Sequence, residues 1–133
     1  MFKRILVVDD EFELTKAIQI RLEQAGYKTL IAYDGIEGLE KARKEKPDLI
    51  ILDLMLPKLD GYKVCVLLKR DKKYDQIPII MLTAHDRDKY KQMGIEMGAD
   101  AYITKPFQYE MVLAKMKELL GEKVSDQSNR ICK

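Results

Sequence analysis

Short apolar runs alternate along this chain with longer segments in which apolar residues recur at helical spacing. The runs are rich in Ile, Leu and Val, a pattern typical of strands that are covered on both faces. They lie at residues 5–8, 29–32, 49–52, 79–82 and 101–104. An amphipathic helical segment follows each run. This alternation predicts an α/β domain in which one five-stranded parallel sheet carries helices on both faces.

Each predicted helix has an apolar face and a residue that limits it. Gly26, Gly98 and Gly121 follow the first, fourth and fifth helices, Pro47 follows the second, and the third begins after an Asp-Gly turn at Gly61. The predicted faces are Leu14, Ala17, Ile18, Leu22 and Ala25 in the first helix; Ile36, Leu39 and Ala42 in the second; Val64, Cys65 and Leu68 in the third; Tyr90, Met93 and Met97 in the fourth; and Val112, Leu113, Met116, Leu119 and Leu120 in the fifth.

Length and charge narrow the classes of function. The 133 residues, of which 47% are hydrophobic, suffice for one domain with a buried core. Lys and Arg (24) nearly balance Asp and Glu (22) and are spread along the chain, so no charge pattern indicates nucleic-acid or membrane binding. The two cysteines are too few for a disulfide framework or a zinc site. We expect a cytoplasmic domain over residues 1–121, then a polar tail or linker stub over residues 122–133.

Polar side chains follow four of the five predicted strands. Asp9 and Asp10 follow the first, Asp53 the third, Thr83 the fourth and Lys105 the fifth. The carboxyl ends of parallel strands meet at one edge of the sheet, where α/β proteins place their sites. The second strand lacks a fitting group, which suits a position at the side of the sheet. The sequence therefore predicts one site built from these five residues.

The charges at this edge indicate a divalent cation. The three aspartates and Lys105 leave a net charge of two negative units, and neighbouring carboxylates disfavour one another's ionisation. Hard carboxylate oxygens suit Mg²⁺, which often binds beside phosphate. Asp53 could attack phosphorus and form an aspartyl-phosphate, with Lys105 supplying charge and Thr83 a hydrogen bond. Taken singly, the acids fit a solvated loop, Thr83 a helix cap and Lys105 a surface lysine.

Four stretches resemble the receiver domains of two-component response regulators. They are ILVVDDE (5–11), PDLIILDLMLPKLDGY (47–62), IPIIMLTA (77–84) and GADAYITKPF (98–107). The resemblance covers residues 3–120, and four motifs in order at the right spacing make it specific. It implies a doubly wound, flavodoxin-like parallel sheet with strand order 2-1-3-4-5 and five helices.

The resemblance also implies an acceptor and a metal site. Asp53 corresponds to the phosphoacceptor. Asp10 corresponds to a direct Mg²⁺ ligand with Asp9 beside it, and Asp53 shares the ion. The remaining protein ligand is a backbone carbonyl two residues after the acceptor, which here belongs to Met55.

Further residues correspond to the phosphate-binding and switch positions of the family. Thr83, Ala84 and Lys105 match the phosphate-binding residues, and the Lys105–Pro106 peptide bond is often cis in such domains. Thr83 and Tyr102 match the hydroxyl and the aromatic ring that move together on phosphorylation.

The family mechanism predicts the partners. A histidine kinase or phosphotransfer protein donates the phosphoryl group, and the domain, which is not an enzyme acting on a separate substrate, catalyses its own phosphorylation and dephosphorylation. An unknown downstream protein then reads the surface of the fourth helix, fifth strand and fifth helix.

Ala101 and Lys115 stand where winged-helix transcription regulators usually carry Asp and Arg, and residues 69–77 form a longer segment than is typical there. We therefore expect a stand-alone or isolated module that is a monomer or a weak phosphorylation-dependent dimer.

Three other readings remain at this point. A Mg²⁺-dependent phosphatase that uses an aspartyl-phosphate needs a second Asp two residues after the nucleophile, where this chain has Met55. A flavin-binding electron carrier of the same fold needs a Ser-, Thr- or Gly-rich loop after the first strand, where this chain has Asp9, Asp10 and Glu11. A degenerate receiver that serves only as a protein-binding scaffold would not need the Asp, Thr and Lys set.

Overall fold

The computed structural model describes residues 2–83 and 98–122, which form one sheet and its covering helices. All five predicted strands are present, and within the described residues there are four helices. None of these helices has the length and apolar character needed to cross a membrane. The elements are β1 (Arg4–Val8), α1 (Phe12–Gln24), β2 (Lys28–Ala32), α2 (Gly35–Glu45), β3 (Leu49–Asp53), α3 (Gly61–Lys69), β4 (Ile79–Thr83), β5 (Ala101–Thr104) and α4 (Tyr109–Leu119).

The four helices correspond to the first, second, third and fifth of the predicted five. The fourth, predicted around Tyr90, Met93 and Met97, lies outside the described residues. Helix α4 therefore carries the apolar face that was predicted for the fifth helix, and Val112 and Met116 on it are buried.

The sheet is parallel throughout, with the order β2-β1-β3-β4-β5. This is the order that the family resemblance implies, and β2 lies at the side of the sheet, as predicted. The chain reverses its direction of winding between β1 and β3, whose last paired residues are Val8 and Leu52. The residues that follow them, Asp9 and Asp53, therefore meet in the crevice where such folds bind ligands.

Side chains of alternating strand residues pack into two hydrophobic cores, one on each face of the sheet. Leu6 and Val8 of β1 pack with the side chains of α2 and α3. Ile5 and Val7 pack with those of α1 and α4. All five residues of β3 are buried. Coverage on both faces explains why the strands are near-continuous apolar runs.

The predicted faces of the first two helices need correction. Ala17 and Ala25 are exposed, and the buried line of α1 consists of Thr15, Ile18 and Leu22. Burial of Thr15 is tolerated because its hydroxyl donates a hydrogen bond to a backbone carbonyl of the preceding turn. Ile36, in the first turn of α2, is 45% exposed, whereas Gly35 and Gly38 of the same turn are buried, so Ile36 lies on the outward face of the helix.

A lysine clamp orders the segment between α3 and β4. The Nζ of Lys69 donates to the carbonyl oxygens of Asp75 (3.2 Å) and Ile77 (2.8 Å) and to Oδ2 of Asp100 (2.9 Å). The same Asp100 oxygen accepts the amide of Ile79 at 2.8 Å. The clamp thus joins the end of α3 to the starts of β4 and β5, at the amino edge of the sheet.

Candidate functional site

Three aspartates meet at the carboxyl edge of the sheet. Asp9 follows β1 and Asp53 ends β3, and their residues are 1% and 5% exposed, whereas Asp10 is exposed. One carboxylate oxygen from each of the three lies within 4.8 Å of the others. The predicted cluster of Asp9, Asp10 and Asp53 is therefore assembled in the folded chain.

Lys105 reaches this cluster from the other side of the sheet. It follows β5, which lies two strands, or about 10 Å, from β3, a distance that an extended lysine side chain and an aspartate side chain span together through a hydrogen bond. Its Nζ donates to Oε1 of Glu11 (2.7 Å), Oδ2 of Asp9 (2.8 Å) and Oδ2 of Asp53 (3.3 Å). The Lys105–Pro106 peptide bond is cis, as the family resemblance suggested.

Backbone amides hold the two buried carboxylates. The amide of Met55 donates to Oδ1 of Asp53 at 3.1 Å, and the amide of Glu11 donates to Oδ1 of Asp9 at 2.9 Å. The main chain of Met55 thus lies beside Asp53, while its side chain is 54% exposed. These contacts leave Oδ2 of each aspartate facing the lysine.

Burial and charge perturb the ionisation of the site. The pKa of Asp53 is raised from 3.8 to about 6, first by burial and then by the charge of Asp9, against the opposing effects of Lys105 and the Met55 amide. Burial lowers the pKa of Lys105, but its hydrogen bonds to Asp9 and Glu11 outweigh burial and raise it overall. The lysine therefore stays protonated, whereas the ionised form of the buried Asp53 carboxylate is destabilised by its surroundings.

The other predicted site residues are less fully described. Thr83 ends β4 and its backbone pairs with Thr104, but its side chain and the whole of Ala84 lie outside the described residues. Tyr102 is half-buried in β5, where it pairs with Met81 and packs against the core on the α2 and α3 side of the sheet. The structure thus brings together the acids and Lys105, and leaves the predicted movement of Thr83 and Tyr102 a prediction.

Glu11 is a contact that the sequence did not predict. It was expected only as a third acid after β1, yet it accepts the shortest of the three Lys105 hydrogen bonds. The available signal was its place directly after Asp9 and Asp10. Three carboxylates therefore contact the Lys105 ammonium, and with Asp10 beside them the site carries one more negative charge than was counted from the sequence.

Sequence comparison places the chain in a known family. The model of the response regulator receiver domain matches residues 5–117. The chain is 52% identical over 120 residues to the alkaline phosphatase synthesis transcriptional regulatory protein PhoP of Bacillus subtilis (strain 168). It is 48% identical over 117 residues to the DNA-binding dual master transcriptional regulator RpaA of Synechocystis sp.. The matches cover 90% and 88% of this chain but only 49% and 48% of those proteins, so it spans about half the length of these curated relatives.

Solved structures show the same fold. A CheY-like receiver domain protein from Methanospirillum hungatei JF-1 superposes with a TM-score of 0.86 at 32% identity, over 91% of this chain and 95% of that one. A response regulator described as putative from Chloroflexus aurantiacus J-10-fl gives 0.87 at 33% identity, over 92% of this chain and all of that one. This chain belongs to the response regulator receiver domain family. It is a phosphoacceptor signalling module with the flavodoxin-like fold of CheY.

Proposed function

We propose that this chain accepts a phosphoryl group on Asp53 from a phosphohistidine of a histidine kinase or phosphotransfer protein, in a Mg²⁺-dependent reaction. The observation that carries the proposal is the position of the Asp53 carboxylate. It lies at the end of the central strand, almost fully buried, 3.3 Å from the Lys105 ammonium and beside Asp9 and Asp10. A phosphoryl group attached there would meet a cation on one side and a metal-binding cluster on the other.

The donor set fits Mg²⁺. Asp9, Asp10 and Asp53 offer hard carboxylate oxygens within 4.8 Å of one another, and Asp10 is open to solvent, so a bound ion can keep several waters. By resemblance to the family, the carbonyl of Met55 completes the protein ligands. The ion supplies positive charge that offsets the carboxylates and the phosphoryl oxygens.

The transfer needs positioning more than acid–base chemistry. An oxygen of Asp53 forms a bond to phosphorus as the bond from phosphorus to the donor's imidazole nitrogen breaks, and the electron pair leaves with that nitrogen. Lys105 pairs with a phosphoryl oxygen. By resemblance to the family, the Thr83 hydroxyl and the Ala84 backbone bind the remaining oxygens.

The resemblance to receiver domains also supports a proposal for the output. Movement of Thr83 toward the phosphoryl group, followed by Tyr102, would alter the surface made by the predicted helix around residues 90–97, β5 and α4. A downstream protein reads that surface. We propose a cytoplasmic location, with the domain at residues 1–121 and a tail or linker stub at residues 122–133. We also propose that the chain is a monomer or a weak phosphorylation-dependent dimer. It makes no direct contact with nucleic acid or membrane under this proposal.

The acceptor is tested by mass spectrometry after incubation with acetyl phosphate and Mg²⁺. The chain should gain about 80 Da, one phosphoryl group, and Asp53→Asn should gain none, because an amide is not a nucleophile here. Asp71→Asn is the matched control, since this acid lies in the loop after α3 at the opposite edge of the sheet.

Three results would contradict the acceptor proposal. One is full labelling of the Asp53→Asn variant. Another is no labelling of the unmodified chain together with no binding of beryllofluoride, which would favour a scaffold. The third is continuous release of phosphate on many turnovers per chain, which would favour a phosphatase.

Metal binding has a separate test that needs no phosphodonor. Because the ion binds only the folded site, Mg²⁺ at 100 times its dissociation constant should stabilise the fold by about 2.7 kcal/mol. Thermal unfolding in MgCl₂ should therefore occur at a higher temperature than in KCl of equal ionic strength. Asp10→Asn should lose most of this gain, whereas Glu13→Gln, an exposed acid of the first turn of α1, should keep it. Equal gains in both variants would exclude Asp10 as a ligand.

A further inference from the structure

The Lys105 ammonium is shared unequally among three carboxylates. Its contacts to Glu11 and Asp9 are 2.7 and 2.8 Å, whereas Oδ2 of Asp53 lies at 3.3 Å. The lysine side chain is only 12% exposed, so these partners and not water satisfy most of its charge. In the unphosphorylated chain, the cation thus lies nearer to Glu11 and Asp9 than to the acceptor Asp53.

Glu11 differs from the other two partners in its surroundings. Its side chain is 60% exposed, whereas those of Asp9 and Asp53 are 1% and 7% exposed. Under the proposed function, Asp9 and Asp53 also contribute to the metal site, and a bound cation weakens their attraction for a second cation. Glu11 is then the carboxylate that keeps its full attraction for Lys105.

We propose that Glu11 is a positioning residue that holds Lys105 away from the acceptor until a phosphoryl group arrives. This inference rests on the proposed function, because Lys105 must leave Glu11 to pair with a phosphoryl oxygen. The contact with Glu11 therefore opposes phosphoryl acceptance. Since Glu11 is largely solvated, the opposition is modest, of the size expected for a partly exposed ion pair.

The test compares two Glu→Gln variants. Glu11→Gln keeps the shape of the side chain and removes its charge, and Glu13→Gln removes one charge two residues further on without touching Lys105. At saturating Mg²⁺ we expect Glu11→Gln to take phosphoryl from acetyl phosphate about two- to fivefold faster than the unmodified chain. Glu13→Gln should match the unmodified chain. Equal acceleration in both variants would show that the loss of one negative charge, and not the contact with Lys105, causes the effect, and would overturn the proposal. An unchanged or slower reaction in Glu11→Gln would also overturn it.

A second measurement does not depend on phosphorylation. In the metal-free, ¹⁵N-labelled chain, the protected Lys105 ammonium should give its own NMR signal, assigned by its loss in Lys105→Arg. Glu11→Gln should shift and broaden this signal, and Glu13→Gln should leave it in place. An unmoved signal in Glu11→Gln would refute the contact. If instead the contact is seen but the unmodified chain accepts no phosphoryl group on Asp53, the proposed function fails and the ion pair stands.

Discussion

Replacing Gly61 by alanine should destabilise the chain by about 3 kcal/mol, the upper end of the range for overpacking. Gly61 begins α3, and its amide donates to the carbonyl of Leu54 at 2.8 Å. A Cβ at this position would lie 1.9 Å from the carbonyl oxygen of Asp53 and 3.0 Å from Cα of Leu54. Both neighbours are backbone atoms, so the helix start or the end of β3 must shift. Because the end of β3 carries Asp53, the variant should also accept phosphoryl groups more slowly.

Gly26→Ala provides the comparison for this prediction. Gly26 has a φ of 94°, but a Cβ there would meet no heavy atom of the described residues within 4 Å. That variant should lose only about 1–2 kcal/mol, the cost of a left-handed conformation. Urea unfolding of both variants measures the difference. If Gly61→Ala lost no more stability than Gly26→Ala, a Cβ at position 61 would be accommodated beside β3, and the prediction would be wrong.

Asp53→Asn should stabilise the metal-free chain at pH 7.5. The pKa of Asp53 is raised to about 6 by burial and by Asp9, so the folded chain holds this proton more tightly than the unfolded chain does. The stability that comes from the protonated form is complete below about pH 4 and is lost as the pH rises through about 6. Above that pH the ionised carboxylate costs the fold up to about 3 kcal/mol, and asparagine removes this cost. We expect a gain of about 1–3 kcal/mol, since the net shift of the pKa already includes the attraction of Asp53 to Lys105.

The pH dependence distinguishes this explanation from a general effect of the substitution. Urea unfolding in EDTA at pH 7.5 and at pH 4 should show a large gain for Asp53→Asn at the higher pH and a small one at the lower pH. Saturating Mg²⁺ should narrow the gap at pH 7.5, since the ion stabilises the unmodified site. A gain that is the same at both pH values, or a loss at pH 7.5, would contradict the raised pKa of Asp53.

The curated relatives bear on the expectation of a stand-alone module. Ala101 and Lys115 differ from the residues usual in winged-helix regulators, and that difference motivated the expectation. The chain nevertheless shares about half of its residues with two transcriptional regulators that are about twice as long as the matched region. The two substitutions therefore leave the overall similarity to such regulators intact, and their effect on dimer formation remains a prediction.

The sequence by itself determined the strands, four of the helices within the described residues, and the acids and lysine of the site. It could do so because strand and helix periodicities are local, and because parallel strands place all their carboxyl ends at one edge. The strand order came from the resemblance of whole motifs to a family, and not from periodicity.

Only the tertiary structure decided which side chains touch. The pairing of Lys105 with Glu11 joins residues 94 positions apart, and the approach of Gly61 to Asp53 depends on how closely α3 packs against the end of β3. The buried position of Thr15 in place of Ala17 likewise follows from the rotation of α1 on the sheet. Such contacts depend on small differences in the distance and rotation between separate elements, and no local pattern of residues contains that information.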